Sequence, residues 1–275
     1  MTVEHYLVIG AGRMGGALLK GWLADPVSGV VADRLMIIDP HPGDDARNAI
    51  TSGAVHLDAT ASDIGKKLAK VQTILLAIKP QGFAEIAPII APHLPQGALV
   101  ISILAGTAMD SLRRAFPNQH VIRAMPNTPA AIGAGITAFT CDNGVSERQQ
   151  RTAERLLKAG GTVHAVDSEH LIDVVTAVSG SGPAYVFHMV EALEAAAIKI
   201  GLPETIAGDF ARQTIVGAGA LLDRSSLSAS ELRQAVTSPG GTTQAALDVL
   251  MPELPPIMRE TVKAALKRAK ELAEK

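Results

Sequence analysis

Tyr6-Leu7-Val8-Ile9-Gly10-Ala11-Gly12-Arg13-Met14-Gly15 is the stretch on which the reading of this chain turns. Four consecutive apolar residues suit a strand buried on both faces. Directly after them Met14, Leu18 and Trp22 recur four residues apart, the spacing of one helix face. Strand, G-x-G-x-x-G and helix in succession form the dinucleotide-binding arrangement. In it Gly10 makes the tight turn, Gly12 lets the backbone approach a pyrophosphate, and Gly15 lets the helix pack closely on the strand. Glycine-rich turns are common, so the flanking strand and amphipathic helix carry this reading rather than the glycines alone.

Working outward, Leu35-Met36-Ile37-Ile38 forms the next strand and ends at Asp39. An acid at the end of the second strand can accept hydrogen bonds from the adenosine ribose hydroxyls and would repel a 2′-phosphate. Asp39 also precedes Pro40, so a simple turn initiator is the competing reading. Further apolar runs lie at Thr73 to Ile78, Leu99 to Ile103 and Val121 to Met125, separated by helical or irregular segments. That alternation predicts a mostly parallel sheet wound with helices. Ile78-Lys79-Pro80-Gln81 and Met125-Pro126-Asn127-Thr128-Pro129 close two of these strands. In open α/β sheets the ligand lies at the carboxyl ends of the strands, so both loops should line a cofactor crevice. Glu147 to Ala159 reads as a helix and Thr162 to Val166 as a late strand, with a domain boundary close to Asp167.

After that boundary the strand pattern stops. Leu171 to Ala177 is helical and breaks at Ser179-Gly180-Ser181-Gly182, and Pro183 then suits the first turn of a new helix running to Ile200. Val186, Phe187, Met189, Val190, Leu193 and Ile198 occupy most of its circumference. A helix apolar nearly all round is buried nearly all round. A domain of roughly 110 residues cannot easily enclose it, so a second subunit is expected to cover it; packing into the crevice of its own chain is the alternative. A helix from Glu204 to Asp223 follows, then Ser228-Ala229-Ser230-Glu231, the pattern of a capping box. A helix-like run from Gln244 to Leu250 and an amphipathic helix from Met258 to Lys275 end the chain.

Between them lies Ser238-Pro239-Gly240-Gly241-Thr242-Thr243. Two adjacent glycines expose the main chain, and the helix that follows offers unpaired N–H groups and a partial positive charge. With three hydroxyls nearby, Gly240 and Gly241 make a cradle suited to a small carboxylate. A capped helix start without any ligand is the plainer reading.

Composition narrows the class. The 275 residues are 47% hydrophobic with a formal net charge of −2, which predicts a soluble protein and no nucleic-acid or membrane partner. One cysteine, Cys141, excludes an internal disulfide and suits a reducing cytoplasm. No signal peptide is evident, and the apolar run around Ala98 to Ala108 is too short to span a bilayer. The eight histidines show no paired ligand spacing, so no metal site is expected, and no G-x-S-x-G nucleophile elbow is present. The second half holds no obvious strong general acid. Hydroxyls and backbone N–H groups suit a reaction in which a cofactor supplies the difficult step, such as reduction of an already polarised C=N bond by a nicotinamide hydride. A carbonyl reductase commonly needs a stronger proton donor.

Six motifs in order now resemble the pyrroline-5-carboxylate reductase family, over essentially the whole chain. They are Gly10 to Gly15, Ala77-Ile78-Lys79-Pro80-Gln81, Ser102-Ile103-Leu104-Ala105-Gly106, Arg123 to Pro129, Ser179-Gly180-Ser181-Gly182-Pro183-Ala184-Tyr185 and Ser238 to Thr243. The resemblance implies a Rossmann-type α/β domain over residues 1–166 and an all-α substrate-binding and dimerisation domain over 167–275. It implies dinucleotide contacts from Gly10, Ala11, Gly12, Arg13, Met14, Gly15, Ala77, Lys79, Pro80, Leu104 and Ala105. It implies that Ser238, Gly241, Thr242 and Thr243 hold the substrate, with the carboxylate on the backbone after the paired glycines and Thr243 facing the imine nitrogen. It further implies a homodimer or higher homo-oligomer. The expected activity is reduction of (S)-1-pyrroline-5-carboxylate to L-proline with NADPH or NADH, the last step of proline biosynthesis. A related imine or β-hydroxyacid reductase, or a dinucleotide-binding regulator without turnover, are the competing functions. In one place the chain departs from the pattern: the family often has Ser or Thr after the second strand to hold a 2′-phosphate, and this chain has Asp39. Arg34 lies before that strand and Arg47 well after it, so NADH is expected to serve at least as well as NADPH.

Overall fold

The computed structural model describes residues 4–273; the expected C-terminal helix therefore has its last two residues outside the described part. In chain order the regular elements are β1 (Tyr6–Ile9), α1 (Arg13–Ala24), β2 (Leu35–Ile38), α2 (Asp44–Thr51), β3 (Val55–His56), α3 (Ile64–Leu68), β4 (Thr73–Leu76), α4 (Pro80–Ile90), β5 (Leu99–Ser102) and α5 (Met109–Ala115). There follow β6 (His120–Pro126), β7 (Gly135–Cys141), α6 (Glu147–Leu157), β8 (Gly161–Ala165), α7 (Glu169–Val175) and a π turn (Thr176–Gly180). Four helices complete the described residues: α8 (Gly182–Lys199), α9 (Glu204–Arg224), α10 (Ala229–Ala235) and α11 (Thr242–Ala273).

The strands form one sheet in the order β3-β2-β1-β4-β5-β6-β7-β8, parallel throughout except where β7 runs antiparallel to β6. Side chains alternate across it, as strand geometry requires. Tyr6 and Val8 point into a cluster with Leu18, Trp22, Ile122, Phe139 and Leu156. Leu7 and Ile9 point into another with Ile74, Ile90, Val100, Leu112 and Phe116. Both faces being covered explains why the strands read as continuous apolar runs. Each fully buried Leu, Ile or Val contributes about 1.5–3 kcal/mol by transfer. Trp22 adds a buried hydrogen bond from its indole N–H to the Leu156 carbonyl at 2.7 Å. The sequence reading missed β3 and β7: β3 has two residues, and β7, GITAFTC, is broken by threonines that give no strict alternation.

By compactness the chain forms two units, one ending at Gly180 and taking back the last turns from Leu266, the other Ser181–Ala265. In the second, α8 and α9 pair through a turn at Gly201, whose φ of 106° favours glycine. The pairing buries Ala207 and Ala211 but no residue of α8. Phe187 is 62% exposed and Phe210 61%. A face this apolar and this open is unsatisfied within one chain. The expected helices at Glu204 and after Ser228 are present, the latter with both bonds of its capping box.

One expectation is corrected. The run from Gln244 and the helix from Met258 are a single 32-residue helix, α11, which continues through Pro252, Pro255 and Pro256. Each proline removes one backbone bond without ending the helix, and all three are exposed, so water can satisfy the freed carbonyls.

Candidate active site

The strand order reverses between β1 and β4, and ligands of open α/β sheets lie at such a switch point, beyond the carboxyl ends of the strands. The glycine loop follows β1 there. Gly10 has φ of 85°, and a Cβ on it would lie 2.7 Å from the Ala77 carbonyl oxygen. A Cβ on Gly15 would overlap the Gly10 carbonyl oxygen. A Cβ on Gly12 would meet nothing within 4 Å. The first and third glycines are thus demanded by the chain itself, whereas Gly12 faces open space at the start of α1. That pattern fits a loop shaped to admit a pyrophosphate onto helix N–H groups. Arg13 and Met14 form the first helical turn; Arg13 is exposed and Met14 half-buried.

Asp39 stands at the end of β2, and one of its carboxylate oxygens accepts the Ala11 N–H at 2.6 Å. The other accepts the His41 N–H at 2.7 Å, the bond of a turn-forming aspartate. The turn reading and the ribose reading are compatible, because an ionised carboxylate has roughly four acceptor positions and two are used. A cavity beside the loop, about 320 Å³, is lined by Gly12, Arg13, His41, Asp44 and Asp45 among others. Arg47 is turned to the Pro42 carbonyl and Asp44, and Arg34 pairs with Asp33. Arg47 thus offsets Asp44, and Asp45 faces the one arginine that lines the cavity, Arg13.

Ala77 continues β4 and gives its N–H to Ile9 at 2.8 Å. Lys79 and Pro80 open α4, Lys79 as an exposed N-cap and Pro80 at its first position. Leu104 is 2% exposed, so only its backbone can reach a ligand; Ala105 beside it is exposed. All these positions cluster at the carboxyl edge of the sheet.

In the second unit, Ser238, Pro239, Gly240 and Gly241 form a turn closed by the Gly241 N–H on the Ser238 carbonyl at 3.0 Å. Proline and then a glycine at φ of 70° suit its two central positions. A side chain on Gly241 would overlap the Ser238 hydroxyl. α11 starts at Thr242, with Thr243 half-buried in its first turn, and the leading N–H groups of such a helix lack partners within it. The turn thus offers backbone donors and hydroxyls and no ionisable side chain between Ser238 and Thr243. No group of three or more His, Cys, Asp or Glu able to hold a metal occurs among the described residues.

A polar cluster absent from the sequence reading lies at β6. Arg123, 3% exposed, pairs with Glu169 at 2.7 Å and Asp173 at 3.0 Å. Glu169 also accepts the Met109 N–H at 2.6 Å. The available signal was a charge inside the run Val121 to Met125, followed by two acids four residues apart on a helix.

A family profile described as pyrroline-5-carboxylate reductase dimerisation matches residues 169–272, and one described as NADP oxidoreductase, coenzyme F420-dependent, matches residues 6–106. The pyrroline-5-carboxylate reductase of Synechocystis sp. is 36% identical over 270 residues, 98% of each chain. That of Pseudomonas aeruginosa is 36% identical over 276 residues, covering 100% of this chain and 98% of the relative. The chain belongs to the pyrroline-5-carboxylate reductase family. A solved pyrroline-5-carboxylate reductase from Coxiella burnetii superposes with a TM-score of 0.88 at 31% identity, covering 99% of both chains. The Plasmodium falciparum enzyme, solved with NADP bound, gives 0.79 at 25% identity, again with 99% of both chains covered. The family likeness therefore spans both units, and no helix among the described residues is long and apolar enough to cross a membrane.

Proposed function

We propose that the chain reduces (S)-1-pyrroline-5-carboxylate to L-proline at the expense of NADH or NADPH, completing proline biosynthesis. The observation that carries this is the Ser238 to Thr243 turn: a glycine-shaped backbone cradle at a helix start, without an acid–base side chain, in a chain that also builds a dinucleotide loop. Bound reduced nicotinamide supplies a hydride to C5 of the imine, and the ring nitrogen keeps the proton that made the C=N bond electrophilic. Ser238, Gly240, Gly241 and Thr242 hold the substrate carboxylate through hydroxyls and the N–H groups that the turn leaves unpaired, Gly241 by shaping the backbone because its own N–H closes the turn, where the helix start favours an anion. Thr243, the catalytic residue, directs its hydroxyl oxygen at the imine nitrogen and fixes the ring for attack. Gly10, Ala11, Gly12, Arg13, Met14 and Gly15 seat the pyrophosphate, Asp39 takes the ribose hydroxyls, and Ala77, Lys79, Pro80, Leu104 and Ala105 line the remaining crevice.

Residues 1–166 serve the cofactor and 167–275 serve substrate binding and dimerisation; the matched dimerisation profile over 169–272 supports that division. The exposed faces of α8 and α9 support a homodimer or a larger homo-oligomer. A cytoplasmic location fits the single, half-buried Cys141. The test is NAD(P)H oxidation with pyrroline-5-carboxylate beside a panel of other cyclic imines and small β-hydroxyacids. Preference for another compound would redirect the reading to a related reductase, and absence of turnover would leave a regulator.

A further inference from the structure

Asn127 follows β6 at the carboxyl edge of the sheet. Its carboxamide oxygen accepts the Ile136 N–H at 3.0 Å, and its nitrogen donates to the Ser179 hydroxyl at 3.2 Å. One side chain thus ties the start of β7 to the π turn that precedes the second unit. The turn presses closely on the end of β6, because a Cβ on Gly180 would fall 2.8 Å from the Met125 methyl carbon. Four residues earlier on β6, Arg123 holds α7 through Glu169 and Asp173. The two ties run in the same order along both elements. They are separated by about 13 Å on the strand and by about 15 Å from Glu169 or about 9 Å from Asp173 along the helix, so α7 and the π turn are fastened alongside β6 at both ends.

This fastening sits at a particular half of the crevice. Asp39, at the end of β2, marks the adenosine side, and β4, β5 and β6 lie beyond the switch point. A dinucleotide crossing that point places its other mononucleotide, the nicotinamide half, over those strands. The π turn is itself an interruption of helix geometry, aided by the Thr176 hydroxyl donating to the Ile172 carbonyl at 2.7 Å. Such turns recur at functional sites. The Asn127 bond to Ile136 is exposed and water would replace it, so the part-buried bond to Ser179 is the one that holds the turn.

We propose that Asn127 is a positioning residue for hydride transfer, which sets the wall of the nicotinamide half by clamping the Thr176–Gly180 turn through Ser179. The proposal rests on the reductase reading above. It assigns no ligand contact to Asn127; its effect passes through the geometry of the turn, where a displacement near 1 Å costs up to about a hundredfold in rate.

The experiment compares wild type, Asn127→Ala, Ser179→Ala and the double variant in steady-state turnover of pyrroline-5-carboxylate, using NADH and NADH deuterated at C4. Asn127→Ala should lower kcat about tenfold or more. The KM for NADH should stay within about twofold, because the adenosine side is untouched. The deuterium isotope effect on kcat should rise as hydride transfer becomes slower. Ser179→Ala should show the same pattern more weakly, and the double variant should be no slower than Asn127→Ala, since both remove one shared bond. Should Asn127→Ala fail to fold, Ser179→Ala carries the test. An unchanged kcat and isotope effect in the folded variants overturns the inference alone. A proportional rise in the KM for NADH at constant kcat does so too, by making Asn127 a support of cofactor binding. An inactive wild type overturns the reductase reading and this inference together.

Discussion

Replacing Asp39 by Asn should weaken discrimination against NADPH, and the structure sets the size of the effect. The Asp39 carboxylate is held in place by the Ala11 and His41 N–H groups at 2.6 and 2.7 Å. It has about two acceptor positions left for the ribose hydroxyls. NADPH puts a phosphate of charge about −1.5 to −2 in place of one hydroxyl. At about 4 Å in a water-like dielectric each unit of charge costs about 1 kcal/mol, which gives about 1.5–2 kcal/mol, and partial burial increases it. Loss of a hydrogen bond from the hydroxyl to an ionised group adds about 1.5 kcal/mol or more. The lining acid Asp45 acts in the same direction, Asp44 is offset by its pair with Arg47, and Arg13 opposes them. Wild type should therefore favour NADH by at least about tenfold in kcat/KM. Asn127 and the crevice beyond the switch point are indifferent to this change, so kcat at saturation should move little.

Asp39→Asn keeps one acceptor oxygen and removes the charge, so the NADH advantage should fall to within about threefold. Initial rates with both cofactors at low and at higher ionic strength provide the measurement. Discrimination in the wild type should shrink with added salt, because the charge repulsion is partly screened. A large kcat/KM advantage for NADPH in the wild type would refute the reasoning, and so would an unchanged ratio in Asp39→Asn.

Other variants probe other parts. Thr243→Ala should lower kcat more than it weakens cofactor binding, as read by turnover and by NADH fluorescence titration; an unchanged kcat removes its proposed role. Arg123→Met leaves Glu169 and Asp173 without their cation and should destabilise the fold by about 3 kcal/mol in urea unfolding, the low end for a broken buried pair because Glu169 is partly exposed. The Arg113 hydrogen bond holds the Asp142 carboxyl below the ordinary carboxylate range. A folded pKa lower than the unfolded one gives stability that is present above the unfolded value and lost as pH falls through the folded one. The gap in urea midpoint between wild type and Asp142→Asn should therefore be widest near neutral pH and close in acid.

The sequence by itself determined six strands of the sheet and the glycine loop after the first, because buried strands and close-packed glycines leave local marks. Tyr6 to Ile9 had to be a two-faced strand, and Gly10 and Gly15 had to lack side chains where strand, loop and helix meet. The Ser238 to Thr243 turn was legible for the same reason: proline and glycine fix backbone angles locally. The length of α11 was not legible, since three prolines predict a stop, and the helix passes them only because they are exposed and water can satisfy the carbonyls they free. Nor was the bond that Asp39 accepts from the Ala11 N–H, which spans 28 residues of chain. Arg123 meets Glu169 and Asp173 across 46 and 50 residues, and Asn127 meets Ser179 across 52. Polar pairs of that kind follow no period. They exist only once the sheet has brought the carboxyl end of β6 beside α7, and for that reason the tertiary structure alone decided them.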